Sequence, residues 1–404
     1  MKKNNIIFSI YFLLIPVLQI TARDYLTVTP DRPLGQQPFM ITHGPYLQHL
    51  GETGVTIIWT TNGSGVSWVE LAPDDGTHFY HSERPRYHAA SHGLKNVSAV
   101  HRVRVGGLKP GTRYRYRVYS TEVVNYSGMK VEYGNTVASN VYRQLPLTFI
   151  TNDHSKEESA FVMLSDIHGN NEIMRQLLGL VDWDNTDMVF FNGDMYGHLE
   201  SQQQLFDDFM DTAVKIFAGE IPLYYARGNH EARGVYAHNF SDYFPGPEGH
   251  LYYMFRQGPV SYLVFDSGED KPDSDIEYHG IAVFDNYMEQ QAEWLRNVIN
   301  DEAFISSDFK IAVIHIPPNH SWYGAGRIYE NLVPVLNESG IDLMLCGHRH
   351  RVFVHEPGGG IDFPIVENGH NTLLHAETKG GRLILKIVDI EGGVVESLVI
   401  DRSD

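Results

Sequence analysis

The sequence predicts two domains in series, an N-terminal all-β sandwich and an α/β domain with a central β-sandwich flanked by helices. From about Pro38 to Ile150, short β-rich segments are separated by Gly, Asn, Asp and Pro clusters. Beyond Ser159, strand-like runs alternate with helix-like ones. A length of 404 residues also exceeds one typical domain, so two separately buried cores are expected.

The chain begins Met1-Lys2-Lys3, runs through an apolar stretch from Ile6 to Ile20 and reaches Thr21-Ala22, the layout of a secretory signal over residues 1–22. The stretch is short for a spanning helix, which needs about 20 apolar residues, and Pro16 interrupts it; an uncleaved anchor is the alternative. No later segment could cross a bilayer as a helix, so the mature protein is expected in the periplasm or outside the cell. Cys346 is the single cysteine, which rules out an intramolecular disulfide. Within an apolar run it reads as a small buried hydrophobe.

Residues 35–150 form the first expected domain. Thr56-Ile-Ile-Trp59, Val66-Ser-Trp-Val-Glu70 and His101-Arg-Val-Arg-Val105 are β-rich, and Tyr114-Arg-Tyr-Arg-Val118 alternates as a half-buried antiparallel strand does. Trp59 is placed in the core. The polar, aperiodic run 151–159 reads as a linker, and residues 160–404 form the second domain. Apolar residues at helical spacing predict helices over Gln202–Phe217 and Asp285–Asn300. After His350 the chain returns to strands such as Leu383–Val388.

Five polar motifs follow apolar, strand-like runs in the second domain: Asp166-Ile-His168, Gly193-Asp194, Gly228-Asn229-His230-Glu231, His315, and Gly347-His348-Arg349-His350. In open α/β sheets ligands gather beyond the carboxyl ends of strands, which is where these motifs fall. A hydrolytic two-metal site needs a carboxylate able to bridge, neutral imidazoles, and positions left for water and substrate. The set suits Zn, Mn and Fe alike. The formal charge of -19 argues against a nucleic-acid partner, because such proteins neutralise phosphates with clustered Lys and Arg. A small phosphate ester stays admissible, since local cations dominate within a Debye length of roughly 8 Å.

The spelling D-x-H, G-D, G-N-H-[ED], lone His, G-H-x-H resembles the calcineurin-like metallophosphoesterase superfamily over roughly the last 240 residues. Ahead of it, Leu108-Lys-Pro110-Gly-Thr112-Arg-Tyr114 resembles the turn-and-tyrosine corner of a fibronectin type III-like sandwich. Together the halves are similar to purple acid phosphatases.

This resemblance implies that Asp166, His168 and His350 hold one metal, that Asn229, His315 and His348 hold a second, and that Asp194 bridges them. The metals would be two divalent or trivalent transition ions, from Fe, Zn and Mn. His230 would hydrogen-bond substrate and protonate the leaving oxygen, with Glu231 orienting that loop or its imidazole. His320, Tyr323 and Arg227 are candidate substrate contacts, with Trp322 beside the first two; Arg233, Arg327 and Arg349 could also meet phosphate, and Tyr196 and His198 could stand behind the ligands. The sequence departs from the purple enzymes at His168, where they carry glycine, and at Gly197, where they carry the tyrosine ligand. A colourless Asp/His site is therefore expected.

The implied function is an exported phosphomonoesterase using in-line attack by metal-bound hydroxide on a small phosphate ester. A phosphodiesterase or nucleotide hydrolase with the same centre is one alternative. A non-catalytic binding or adhesion protein with a degenerate metal site is another.

Overall fold

The computed structural model describes residues 37–140 and 144–402, so the expected signal over 1–22 lies outside the described residues. The N-terminal domain is built around one strand of 20 residues, Gly54–Pro73. Its first half pairs with Ile41–Gln48 and Ser98–Gly106; after a register shift between Thr60 and Gly65, its second half pairs with Arg113–Ser127. The bulge lets one strand serve both layers of the sandwich. Between the layers Trp59, Val69, Val103, Tyr116 and Phe149 form a closed core. The Trp59 indole N–H donates to Ser120 Oγ at 2.9 Å, so its one polar atom is satisfied. The Tyr114 hydroxyl accepts the Lys109 main-chain N–H at 3.0 Å, which closes the expected tyrosine corner.

The run 151–159 is held down along its length. Asn152 Nδ2 donates to the carbonyls of Leu50 and Arg256, both at 3.1 Å, and Asp153 N–H donates to Gln257 Oε1 at 3.0 Å. Its polarity, which reads as linker composition, supplies hydrogen bonds to both domains.

Two six-stranded sheets form the α/β domain. The first runs, in spatial order, Leu223–Ala226, Met188–Asn192, Ala160–Leu164, Thr372–Lys379, Arg382–Asp389 and Val394–Asp401. The second runs Tyr253–Gln257, Val260–Val264, Phe309–Val313, Leu343–Cys346, Ile365–Glu367 and Phe353–His355. Phe161, Phe190, Tyr262, Val313, Leu345 and Leu385 fill the space between the sheets. Helices cover the outer faces: Asn171–Leu178 and the segment 202–218 on one side, Phe284–Val298, Tyr323–Asn331 and Val333–Ser339 on the other. Burial on both faces explains why the central strands are continuously apolar. Cys346 is buried within its strand.

The helix expected at 285–300 spans Phe284–Val298. The helix expected at 202–217 begins with Gln202–Leu205 but widens into π-type turns over Phe206–Met210 and Val214–Ala218. Each widening adds a residue per turn, so Phe206, Met210 and Phe217 join Leu205, Phe209 and Ala213 on the buried face.

The two domains share a core. Tyr46 and Ile58 of the sandwich are buried in the same cluster as Leu164, Phe206 and Tyr243 of the α/β domain. Hydroxyls cross the junction: Tyr46 donates to Tyr243 O at 2.8 Å, Tyr116 to Gly219 O at 2.6 Å, and Tyr224 to Leu50 O at 2.7 Å.

Candidate metal centre

Ala160–Leu164, Met188–Asn192 and Leu223–Ala226 are parallel and in register, as are Phe309–Val313 and Leu343–Cys346 in the facing sheet. Their carboxyl ends therefore deliver all five motifs to one edge of the double sheet. Main-chain hydrogen bonds stitch the motif loops together: Asp166 N–H to Gly193 O at 3.0 Å, His168 N–H to Asp194 O at 3.0 Å, and Gly347 N–H to His315 O at 2.9 Å.

The stitching forces unusual backbone. Asp166, His168, Asp194, His348 and His350 all take positive φ, from 48° to 73°, a region that residues with a Cβ rarely adopt. Such conformations cost about 1 to 3 kcal/mol each and gather at functional sites. Close packing also explains two glycines. A Cβ on Gly193 would lie 2.5 Å from the His315 ring, and one on Gly228 would lie 2.4 Å from Asp194 Oδ1.

Two ligand sets result. In the first, His168 Nε2 lies 3.1 Å from His350 Nε2, which is 3.3 Å from Asp166 Oδ1. In the second, Asp194, His315 and His348 converge, with His315 Nε2 3.0 Å from Asp194 Oδ2. Asp194 also groups with His168 and His230, so it stands between the sets.

The residues fit a pair of cations. Asn229 Oδ1, His315 Nε2 and His348 Nδ1 are buried and have no hydrogen-bond partner, an arrangement that costs about 1 to 3 kcal/mol per atom unless something fills the space they face. His315 Nδ1 is held by Asn192 O at 2.6 Å, which leaves Nε2 as the nitrogen available to a cation. Although Nε2 is within ion-pair distance of Asp194, the two are not aligned for a hydrogen bond.

Electrostatics follow the same division. Burial lowers His348 to about 3 and lowers His168, so both imidazoles are neutral near pH 7. Burial would lower His315 too, but the carboxylates of Asp194 and Asp166 outweigh it and raise the ring to about 10. Burial opposes ionisation of Asp194, yet His315 outweighs that and holds it well below the usual carboxylate range. His350 is raised by its hydrogen bond with Asp166.

Around the ligands, Glu231 is fully buried and accepts hydrogen bonds from Asp194 N–H, Met195 N–H, Gly228 N–H and the Tyr225 hydroxyl, at 2.8 to 2.9 Å. Its carboxylate is thus committed to the loops and not to the open side of the site. His230 Nδ1 is held by Gly197 O at 2.5 Å, and Nε2 lies 3.8 Å from Asp194 Oδ2.

The three substrate candidates differ in placement. Arg227 Nε pairs with Asp266 Oδ2 at 2.9 Å, which commits its guanidinium to that carboxylate. The Tyr323 hydroxyl donates to Asp285 at 2.7 Å, on a neighbouring helix. His320 Nε2 sits 3.1 Å from Glu367 Oε1, which His355 Nε2 also meets at 2.7 Å; this anchors the loop whose Trp322 ring packs edge-on to His348 at 4.8 Å. Tyr196 is buried against Phe209 in the apolar core, while His198 is exposed beside Glu200.

The structure places Arg233, one of the arginines that could meet phosphate, beside His230. Glu269 grips the guanidinium through both oxygens, at 3.0 and 2.8 Å, and its Nη1 lies 3.3 Å from His230 Nε2. A local signal exists, because a residue three after His230 returns to the same side of a helical turn. Glu367 and His355 have no such signal, since separate strands bring them to His320.

The calcineurin-like phosphoesterase family matches residues 160–352, and the purple acid phosphatase N-terminal domain matches residues 44–142. Purple acid phosphatase 21 of Arabidopsis thaliana is 24% identical over 382 residues, covering 87% of this chain and 77% of that protein. Acid phosphatase type 7 of Mus musculus is 23% identical over 288 residues, covering 68% of this chain and 56% of that protein. The fold superposes on a purple acid phosphatase from yellow lupin seeds with a TM-score of 0.65 at 14% identity, over 89% of this chain and 74% of that one.

Proposed function

The chain carries a calcineurin-like phosphoesterase domain, the fold of metal-dependent phosphoric ester hydrolases, behind a purple acid phosphatase N-terminal domain, and on that premise we propose an exported dinuclear phosphomonoesterase. The observation that carries this reading is the position of Asp194 between two convergent ligand sets, with His230 and Arg233 on the same loop system. Asp166, His168 and His350 would hold one ion and Asn229, His315 and His348 the other. When bound, the ions polarise phosphoryl oxygens and make a nucleophilic water available near neutral pH.

The chain's own groups do the rest. Gly197 O fixes His230 Nδ1, so Nε2 is the atom that passes a proton to the departing oxygen. Arg233, pre-positioned by Glu269, holds a phosphoryl oxygen within reach of that same nitrogen. Glu231 keeps the loops of Asp194 and Gly228 in register. A monoester dianion offers three terminal oxygens to this array of cations and donors, which favours monoesters over diesters.

Export rests on the Met1–Ala22 pattern, and no helix among the described residues is long and apolar enough to cross a membrane. Metal content and a phosphoester panel on one preparation test the reading. Two transition-metal ions per chain and faster turnover of an aryl monoester than of the bis-aryl diester are expected. The reverse preference would make it a diesterase. Fewer than one ion per chain after metal-supplemented expression, with no esterase activity, would leave a binding scaffold.

A further inference from the structure

A cavity of about 680 Å³ is lined in part by Arg233, whose Nη1 lies 3.3 Å from His230 Nε2, so this arginine connects it to the metal centre. Val235, Tyr278, Ile281, Ala282 and Phe284 supply the cavity's apolar surface. Val235 is 71% and Ile281 is 82% exposed, so large aliphatic groups stand open to solvent at its mouth. Ile276 and Val283, next in the chain to the lining residues Glu277 and Phe284, are also exposed, at 82% and 70%. Scattered exposed aliphatics need no explanation, but several around one cavity beside a reactive centre mark a binding surface.

Arg227, Arg233, Glu269 and Glu277 on this wall are held in ion pairs, while Glu200 faces only the His198 imidazole and His238 and His279 complete the polar lining. Glu269 grips Arg233, Glu277 pairs with Lys271, Glu200 lies 3.7 Å from His198, and Arg227 pairs with Asp266. A leaving group carrying its own charge would have to break one of these pairs or enter without a partner, at a desolvation cost. An apolar one meets neither obstacle.

Resting on the phosphomonoesterase reading, we propose that this cavity receives the departing alcohol and that the substrate class is a phosphate monoester of an uncharged, apolar alcohol. In the step, the bond from phosphorus to the alcohol oxygen breaks as the oxygen of water bonds to phosphorus. The alcohol oxygen takes its proton from His230 Nε2, and the proton released by water restores the imidazole.

The test compares ethyl and n-hexyl phosphate, whose leaving oxygens have nearly equal basicity, on the metal-loaded full chain and on the Val235→Ser/Ile281→Ser double variant. Both positions are exposed, so the folded state is not at risk. Burying part of the added chain is expected to raise kcat/KM for hexyl phosphate at least ~10-fold over ethyl phosphate, and the variant should bring that ratio within about threefold. A ratio near one in the unaltered protein, with both esters hydrolysed, would overturn the pocket assignment and leave the phosphomonoesterase reading intact. A ratio that the double variant does not change would do the same. No turnover of either ester by protein carrying two ions would overturn both.

Discussion

Glu231 Oε2 accepts the main-chain N–H of Asp194 at 2.9 Å, so the residue next to the candidate acid fixes the residue that stands between the two ligand sets. The same oxygen takes Gly228 N–H, which ties two motif loops to one buried carboxylate. Glu231→Gln puts an amide N–H against one of these donors. Stability in urea should fall by about 1 to 3 kcal/mol, with weaker metal retention. Unchanged unfolding and unchanged metal content would show that the loops hold themselves.

His230 ligates no metal ion in the proposed arrangement; its Nδ1 is held by Gly197 and its Nε2 faces Arg233 and the reacting side. His230→Ala should keep two ions per chain and lose turnover by roughly 100-fold or more. Metal analysis and kcat on the same sample decide the matter, since a loss of rate in proportion to lost metal would make His230 a ligand.

His315 is held protonated in the ion-free protein, because Asp194 and Asp166 overcome burial and raise its ring to about 10. Metal binding requires the neutral ring, so loading at pH 7 must expel that proton. Affinity should therefore rise as pH increases from 7 towards 10 and fall on acidification. Calorimetry in two buffers of different ionisation enthalpy should register release of about one proton per chain from this group. Equal heats in both buffers would contradict the assignment.

Tyr196 lies in the apolar core against Phe209, and Gly197 is the residue third after Asp194, where the resemblance to the purple enzymes implies their tyrosine ligand. Burial raises the Tyr196 phenol well above its ordinary pKa, which keeps it neutral. Iron-loaded protein should accordingly lack a visible tyrosinate charge-transfer band; a purple preparation would bring Tyr196 back to the metal.

Ile58 belongs to the sandwich by sequence and to the α/β core by packing. Ile58→Ala should cost about 2 to 5 kcal/mol. Activity and both domains should melt in one transition. Two separate steps would show that the shared cluster does not couple them.

The motifs were legible because parallel strands deliver consecutive loops to one edge, so order along the chain becomes proximity in space. Trp59 and Tyr114 could be assigned for a similar reason, since strand alternation and a turn signature are local. The π-type widening near Phe206 was not, because tertiary packing of large aromatics overrides a regular 3.6-residue period. Glu367 meets His320 and His355 across separate strands, and nothing in its neighbourhood announces it. Arg227 adjoins the Gly228 motif in sequence, but its pairing with Asp266, 39 residues on, was not legible there.

The left-handed backbone at Asp166, His168, Asp194, His348 and His350, stitched by main-chain hydrogen bonds, also bears on how fast the centre assembles. With the ligand loops already shaped, little chain reorganisation accompanies metal capture. The rate of loading should then follow how readily each aqueous ion sheds its water, so kinetic competition among metals in the surrounding medium would decide which pair the protein carries.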